Sequence, residues 1–448
     1  MTTKPPPDAD PMAMARSRAY LRLLVLAAII GVPISALAYF FLALVDKLQE
    51  WVFESLPDAL GYDATPSWWP LIPLTLAGVL VAAAIRYLPG RGGESPAEGF
   101  KAGRGPAPPE ALPGIFLAAL AGLALGAVIG PEAPLIALGG GLAAALVRLQ
   151  RGKKAPDQVG AVLGATGSFA AVSTLLGSPL VGAVLMLEAS GLGGAMVGLV
   201  LVPGLLASGI GYIIFLGLDS LTGLGTFSLA LPEVPGVTSL EASWLAWAVA
   251  AGVAAAVLVT VIRRLALLVR PRIEGRILPT ALAGLLIGLL ALVFTEVTDK
   301  PYTDVLFSGQ SALGPLIAQA SAYGVGALIL IVAFKGLAYA ISLGGFRGGP
   351  VFPSMFIGAA GGIAMSHLPG LTVIAGVAIG MAAMLGAMLR LPIVSVLLTS
   401  VFLEGAGPDL VPPVIVAVVV AYAASAWLLP RLEPAEPAPP LERGAPAA

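Results

Sequence analysis

The 448-residue chain is 58% hydrophobic and only 11% charged, whereas a soluble globular chain carries about 25% charged residues. Its mean hydropathy of +0.95 excludes a soluble protein and predicts a polytopic protein of the lipid bilayer. The net charge of −1 identifies no charged partner, and we expect no nucleic acid to bind. The chain has no cysteine and one histidine, His367. Disulfides, thiolate nucleophiles and Cys/His metal sites are therefore excluded, and we expect no metal and no cofactor.

Apolar segments that approach the roughly 20 residues needed to cross a bilayer recur along the whole chain. They are 21–45, 68–85, 111–130, 159–187, 192–218, 243–262, 279–294, 313–342, 371–389 and 411–429. We expect about ten to twelve complete or partial crossings in a membrane domain over 20–430. Residues 1–19 are polar and proline-rich, with no sign of a cleaved signal peptide. Residues 431–448, rich in proline and alanine, are expected to form a disordered tail.

Lysine and arginine concentrate in three stretches at or near the ends of apolar segments. They are Arg16, Arg18 and Arg22 at the start, then Arg148, Arg151, Lys153 and Lys154, and then Arg263, Arg264, Arg270, Arg272 and Arg276. Cytoplasmic loops of membrane proteins carry an excess of these residues. We therefore expect a multi-pass protein of the plasma membrane whose segment 1–19 and C-terminus both lie in the cytoplasm.

Two segments share the pattern G-P-x-x-P-x-x-x-x-G: GPEAPLIALG at 130–139 and GPVFPSMFIG at 349–358. A second apolar segment that begins near a proline follows each, SPLVGAVLMLE at 178–188 and LPIVSVLLTSVFLE at 391–404. Chance recurrence is an alternative in a chain with 56 glycines and 39 prolines, but the shared order of the elements argues against it. We predict two related halves, over about 20–218 and 240–430.

Glycine and proline precede an apolar stretch in both segments, which is typical of a helix start. A helix that begins inside a membrane leaves free N–H groups and a partial positive charge at its N-terminus. Two such ends, one from each half, would form an anion site without a full positive charge, so that the ion can also leave. Glu132 stands at the first start, where its ionised carboxylate would compete with the anion. Stabilisation of the helix dipole alone is the alternative role.

These residues resemble the CLC family of chloride channels and proton/chloride antiporters. Gly130–Pro134 is similar to the family's gate motif G-[KR]-E-G-P, and FRGGPVFPSMFIGAAGG at 346–362 to its G-G-x-F-x-P-S-L-F-I-G-A segment. GSPLVGAVLMLEAS at 177–190 and AAMLGAMLRLPIVSVLLTSVFLEG at 382–405 also look like family segments, in the family's order.

The resemblance implies an all-α, inverted-repeat membrane fold with about 18 tilted and broken helices per subunit. It implies a homodimer with one pore in each subunit, joined through the helices of 178–218 and 391–429. Glu132 would be the gate. The anion-binding residues that it implies are Gly130, Ala133, Gly349, Val351 and Phe352, with Gly93 or Ser95 from a further motif.

Four departures from the family pattern bear on the mechanism. The motif G-S-G-x-P is Gly92–Pro96 here, so Gly93 stands where the serine is expected and Ser95 is offset by two positions. Prolines at the second position of both loops remove N–H donors, and Val351 replaces an expected phenylalanine. Ala189 replaces the internal proton glutamate, which leaves Glu188 as a candidate proton-path residue. The helix with the pore tyrosine is expected to be absent, and Tyr422 is expected to be a packing or interface residue.

The expected function is transport of chloride or a similar small anion across the membrane, channel-like or weakly proton-coupled, without enzymatic activity. The alternative is a strict proton/chloride antiporter with an unrecognised relay such as Glu188. A fluoride-selective transporter, an organic-solute carrier and an intramembrane enzyme are more remote. The enzyme is remote because the chain shows no nucleophile paired with a base. Lys335 is expected to be a packing or snorkelling lysine rather than an ion ligand.

Overall fold

The computed structural model describes residues 16–99, 105–151, 157–173, 175–191, 195–228, 236–237 and 239–428. These residues form fifteen α-helices and no β-strand, which confirms the predicted all-α fold. The predicted tail 431–448, most of segment 1–19, and the pair Lys153 and Lys154 lie outside the described residues.

The helices are, in chain order, α1 (Arg18–Glu50, continued through a π-helical turn, Trp51–Ser55, to Leu56–Ala59), α2 (Leu71–Tyr87), α3 (Leu112–Ala124), α4 (Glu132–Arg151), α5 (Asp157–Val172), α6 (Pro179–Ser190), α7 (Ala195–Thr222), α8 (Ala242–Ile273), α9 (Ile277–Thr298), α10 (Gln310–Ala318), α11 (Val325–Gly345), α12 (Val351–Ser366), α13 (Val373–Leu389), α14 (Pro392–Phe402) and α15 (Val411–Leu428). Within the described residues, seven helices are long and apolar enough to cross a membrane, and seven shorter apolar helices have 10–17 residues. The shorter ones cannot span a bilayer core of about 30 Å at a rise of about 1.5 Å per residue.

Two of the predicted apolar segments contain two helices each. In 159–187, Ser178 Oγ accepts a hydrogen bond from the Leu180 N–H at 3.2 Å and Pro179 is the first residue of α6. A capping serine and a proline start a new helix. In 313–342, α10 ends at Ala318 and α11 begins only after Gly324. The chain therefore uses broken helices where hydropathy alone suggests continuous ones.

The outer face of α8 shows how the fold meets lipid. Five of its exposed large apolar residues recur every four positions and are Leu245, Val249, Val253, Val257 and Val261. Half of the buried residues of the same helix are alanine or glycine. Large apolar side chains suit contact with lipid tails, while small ones allow neighbouring helices to approach closely.

The packing between helices recurs along the chain. In the first part, α4 packs on α5, α5 on α6 and α7, and α1 on α7. In the second part, α12 packs on α13, α13 on α14 and α15, and α8 on α15. The contacts between the two parts include α2 with α9 and α6 with α14. Two related halves would produce this recurrence, and their boundaries at 20–218 and 240–430 stay a prediction.

Glycines set the close approach within the corresponding pairs α4–α5 and α12–α13. A Cβ built on Gly139 would lie 2.6 Å from the Gly167 carbonyl oxygen, and one on Gly167 would lie 2.3 Å from the Gly139 oxygen. In the other pair, a Cβ on Gly362 would lie 2.0 Å from the Gly376 oxygen, and one on Gly376 2.4 Å from the Gly362 oxygen. Any larger residue must push the helices apart.

Adjacent glycines of α12 provide a test of this packing. We expect Gly362→Ala to lower the free energy of unfolding by about 1–3 kcal/mol, because its methyl group would enter backbone of α13. Gly361→Ala should leave stability unchanged or slightly higher, because its Cβ would meet only Val332 Cγ2 at 3.9 Å. The measurement is thermal unfolding of the purified protein in detergent. Equal effects of the two substitutions would contradict the close contact.

Candidate functional site

The starts of α4 and α12 are joined by an antiparallel bridge between Gly130 and Gly349. The Gly130 N–H donates to the Gly349 carbonyl at 2.8 Å, and the Gly349 N–H donates to the Gly130 carbonyl at 2.5 Å. Helix α4 begins at Glu132 and α12 at Val351, both within two residues of the bridge. The two predicted helix starts are confirmed, and their N-termini converge on one point.

The loop before α4 is buried and irregular, so its backbone needs hydrogen-bond partners from the protein. The Phe307 N–H donates to the Gly126 carbonyl at 3.1 Å, and the Val128 N–H donates to Ser342 Oγ at 3.1 Å. Both partners come from the second part of the chain. Together with the glycine bridge, these bonds fix the entry to α4 and thereby the position of Glu132.

The carboxylate of Glu132 lies between the two helix starts and is fully buried. Its Oε1 accepts a hydrogen bond from the Phe352 N–H at 3.1 Å, and the N–H groups of Val351 and of Glu132 itself lie near the carboxyl group. Its Oε2 has no hydrogen-bond partner among the described residues. The side chain of α4 is therefore bonded to the start of α12 through one oxygen, and its other oxygen is unpaired.

Glycine at both ends of the bridge makes room for this carboxylate. A Cβ on Gly349 would lie 1.7 Å from Glu132 Oε2, and a Cβ on Gly130 would lie 2.2 Å from the same atom. The Ala133 amide nitrogen lies 3.1 Å from the Cβ position of Gly349. The structure thus brings together six of the predicted site residues: Gly130, Glu132, Ala133, Gly349, Val351 and Phe352.

The site has the chemistry of an anion-binding site. Helix N-termini bind anions through free N–H groups, and each carries roughly half of an elementary positive charge. Two converging ends therefore match one negative charge without a fixed cation. The Glu132 carboxyl group occupies the place between them.

A cavity of about 600 Å³ reaches the start of α4 from one side. Ala133 and Pro134 line it, together with Gly93 and Ser95 from the loop between α2 and α3. Ser95 is buried, and its Oγ has no hydrogen-bond partner among the described residues. Gly93 has a φ of +93° and no side chain to offer. Of the two residues, only Ser95 has a hydroxyl that can turn towards an anion.

Glu188 is engaged at a different helix start. Its Oε1 accepts a hydrogen bond from the Ile393 N–H at 3.1 Å, and its Oε2 accepts one from the Val394 N–H at 2.8 Å. Both donors belong to the first turn of α14, where N–H groups lack partners within the helix. Both oxygens are thus occupied in capping a helix, which favours a structural role over proton transfer.

Arg347 is a buried charge near the site that the sequence motifs did not single out. It lines the same cavity and is 3% exposed. Its Nη2 pairs with Glu274 at 2.5 Å, while Arg270 pairs with Glu274 at 2.7 Å and with Glu98 at 2.9 Å. An arginine inside the apolar loop FRGGP is itself a signal, because charges buried in membrane proteins are costly and are rarely incidental.

Lys335 is fully buried on α11 and does not snorkel. Its Nζ donates to the carbonyls of Leu306 at 2.9 Å and Val305 at 3.3 Å, and it lies 4.4 Å from the centroid of the Phe356 ring. The snorkelling alternative is therefore wrong, because the loop before α10 satisfies the ammonium group inside the protein. The side chain ties this loop to α11 and α12.

Two tyrosines of the long helices differ in burial. Tyr422 on α15 is 41% exposed, as expected for a packing or interface residue. Tyr339 on α11 is fully buried, and its hydroxyl donates to the Pro350 carbonyl at 3.0 Å, next to the start of α12. Tyr339 therefore helps to position the start of α12.

Comparison with known proteins identifies the family. The model of the family described as "Voltage gated chloride channel" matches residues 75–426. The chain belongs to this family. It is thus an anion transport protein of the CLC type, embedded in a membrane by several helices. Relatives in Salmonella schwarzengrund and Salmonella newport, each named "Putative ion-transport protein YfeO", are 31% identical over 355 residues, which cover 78% of this chain and 81% of the relative.

Solved structures of CLC proteins share the fold. A slow cyanobacterial Cl⁻/H⁺ antiporter is 21% identical with a TM-score of 0.72, over 91% of this chain and 95% of that one. A CLC-type fluoride/proton antiporter is 18% identical with a TM-score of 0.68, over 91% and 96% of the two chains. These two neighbours carry different anions, so the shared fold does not select the substrate.

The cap formed by Glu188 can be tested against Glu404, an acid beyond the other end of α14. We expect Glu188→Ala to lower the free energy of unfolding by about 1–2 kcal/mol, because two N–H groups of α14 lose their acceptor. Glu404→Ala, which alters an exposed carboxylate after α14, should change it by less than about 0.5 kcal/mol. Thermal unfolding in detergent measures both. A silent Glu188→Ala would mean that the cap contributes nothing to stability.

Proposed function

We propose that this CLC protein transports chloride or a similar small anion through a pore that Glu132 gates. The observation that carries the proposal is the position of the Glu132 carboxylate at the meeting point of α4 and α12, with Oε1 3.1 Å from the Phe352 nitrogen. When ionised, the side chain occupies the place of an anion. When it is protonated or displaced, the N–H groups of both helix ends become available to a free ion.

The cavity provides one approach to this gate. It is lined by Ser95 and extends to Ala133, Pro134, Gly348 and Pro350 at the two helix starts. An anion in the cavity would meet the unpaired Ser95 hydroxyl on its way to the N–H groups that Glu132 covers. Ser95 is therefore proposed as the serine ligand of the pathway, in place of Gly93.

The gate predicts a specific response to pH. Glu132→Gln and Glu132→Ala should raise anion flux roughly tenfold at neutral pH, which corresponds to a competitor worth about 1.4 kcal/mol. In the unmodified protein, protonation of the carboxylate removes its charge, so flux should rise as the pH falls. Both variants lack a group that titrates there, so their flux should stay flat. Chloride efflux from liposomes at several pH values measures this, and an unchanged pH profile in the variants would remove Glu132 from the gate.

A substitution opposite the gate should act in the same direction. Gly349→Ala places a methyl group on the site of Oε2 and should expel the Glu132 side chain, which raises flux while the carboxyl group stays present. The matched control is Gly326→Ala on α11, whose Cβ would meet no atom within 4 Å. If Gly349→Ala folds and its flux equals that of the control, the carboxylate does not obstruct the pathway.

We further propose channel-like or weakly coupled transport rather than strict antiport. A second protonatable group would be needed to carry protons beyond Glu132, Ala189 cannot be that group, and both oxygens of Glu188 are held by α14. We expect no uphill proton movement when a chloride gradient is imposed on liposomes at clamped membrane potential. Uphill movement at a fixed ratio to chloride would make the protein an antiporter, and its loss in Glu188→Gln would identify the relay.

The substrate and the assembly complete the proposal. Parallel assays with chloride, fluoride and an organic anion decide between the chloride-like substrate and the two more remote ones. A homodimer is proposed through the helices of 178–218 and 391–429, in a plasma membrane with both termini cytoplasmic. Exposed apolar side chains such as Leu180 and Ile393 lie in these segments. Purified protein that transports but remains monomeric at every concentration would contradict the dimer.

A further inference from the structure

Among the described charged residues that line the cavity, Arg347 is buried, whereas Arg91 and Glu94 are exposed. Arg347 Nη2 bonds to Glu274 Oε1 at 2.5 Å and to the Arg91 carbonyl at 3.4 Å, and its Nη1 bonds to the Phe346 carbonyl at 3.3 Å. Its Nε is buried and has no hydrogen-bond partner among the described residues. A guanidinium group is always charged, so this N–H is an unpaired donor on a permanent cation.

The cavity that Arg347 lines contains a second unpaired donor. The Ser95 hydroxyl is buried and unpaired, and it belongs to the same lining as the Arg347 side chain. The Cβ position of Gly92 lies 3.4 Å from Arg347 Cγ, so the arginine packs directly against the loop that carries Ser95. Buried donors are normally satisfied, so two unpaired donors on side chains that line one cavity indicate a ligand that accepts hydrogen bonds, and both donors must turn towards the cavity to meet it.

The charge of Arg347 is balanced along a chain of four side chains. Glu98 pairs with Arg270, Arg270 with Glu274, and Glu274 with Arg347. Exposure of the side chains falls from 32% at Glu98 to 3% at Arg347. Burial raises the pKa of Glu274, but its hydrogen bonds and charge interactions with the two arginines outweigh burial and lower the pKa overall. Glu274 therefore stays ionised and offsets part of the field that Arg347 presents.

We infer that Arg347 binds the transported anion in the cavity, at a position separate from the gate, and that Glu274 keeps this binding weak. The inference rests on the proposed function, because it assigns a second position on the same pathway. The ligand class is a small inorganic anion. A single N–H and a hydroxyl can hold a halide or one oxygen of an oxyanion, whereas the fork of the guanidinium group is already occupied and cannot bind a carboxylate at two points.

The balance with Glu274 gives the site a transport function. An unpaired arginine would hold an anion strongly and slow its release, whereas conduction needs sites that bind weakly enough to leave. Glu274 competes for the same cation through Nη2, and Nε is the guanidinium nitrogen that has no partner and can turn to the ion. The site would then gather anions from solution and pass them to the N–H groups at Gly130 and Gly349.

The test locates bromide, an anomalous scatterer, in crystals of the full-length protein. In the unmodified protein we expect a bromide peak within hydrogen-bond distance of Arg347 Nε. In Glu132→Gln we expect a second peak between Gly130 and Gly349, where the carboxylate no longer competes. Absence of the first peak at bromide concentrations that fill the second overturns the inference and leaves the gate intact. A peak at Arg347 but none at the gate in Glu132→Gln would instead overturn the proposed gating.

Two substitutions predict effects of opposite sign on the occupancy of the Arg347 peak. Arg347→Gln should weaken bromide binding there roughly tenfold, the order expected for loss of a charge-assisted hydrogen bond. Glu274→Gln should strengthen it, because the competing carboxylate loses its charge. The control is Arg272→Gln, an arginine of α8 that bonds to the Leu268 carbonyl and does not line the cavity.

The sign separates binding from structural support. If the ion pair merely held the loop in place, both substitutions would loosen it, and both would lower the melting temperature and the occupancy. Weaker binding in both, or no change relative to Arg272→Gln, overturns the inference. If Arg347→Gln does not fold, the comparison of Glu274→Gln with the unmodified protein still decides the outcome. Bromide occupancy at Arg347 must then be higher in the Glu274→Gln crystals than in the unmodified crystals.

Discussion

The structure depends on the pairing of Gly130 with Gly349, which holds two helix N-termini together inside the protein. Like partial charges repel, so a negative group between two such ends lowers the cost of bringing them together. The Glu132 carboxyl group lies at that position. The prolines at positions 131 and 350 reduce the cost, because a residue without an N–H leaves one donor fewer to satisfy at each start. Glycines at the bridge then admit both the backbone contact and the side chain.

Two glutamates of the first part serve helix starts of the second, and their differences indicate different roles. Glu188 uses both oxygens on two N–H groups of α14. Glu132 is fully buried, bonds to Phe352 through Oε1, and keeps Oε2 unpaired. A buried carboxyl group with one oxygen unsatisfied is held less firmly than a cap with both oxygens bonded. This difference fits a fixed support at Glu188 and the gate that is proposed at Glu132.

Local chemistry allowed the helix starts and the all-α fold to be predicted from the sequence, because proline, glycine and apolar periodicity act within a few residues. The hydrogen bonds between these helix starts and the two glutamates could not be predicted from the residues alone. Glu132 bonds to Phe352, 220 positions away, and Glu188 bonds to Val394, 206 positions away. The sequence leaves the choice between Gly93 and Ser95 open. Their loop is built of short 3₁₀ turns and left-handed glycines, which have no periodicity to fix a register. The packing alternative for Lys335 fits its burial, and the sequence could not separate it from snorkelling because the carbonyl partners lie some 30 positions away.

The two positive features of the proposed pathway differ in how their charge is balanced. At the proposed gate, the positive field comes from helix ends, and either Glu132 or an ion can occupy it. Beside the cavity, Arg347 pairs with Glu274, which is joined through Arg270 to Glu98, so the field of Arg347 is local. In this proposal an ion passes from a weakly attractive cation to a stronger site that the Glu132 side chain fills. Its entry would then depend on displacing that side chain, which would couple occupancy of the pathway to the state of a single residue.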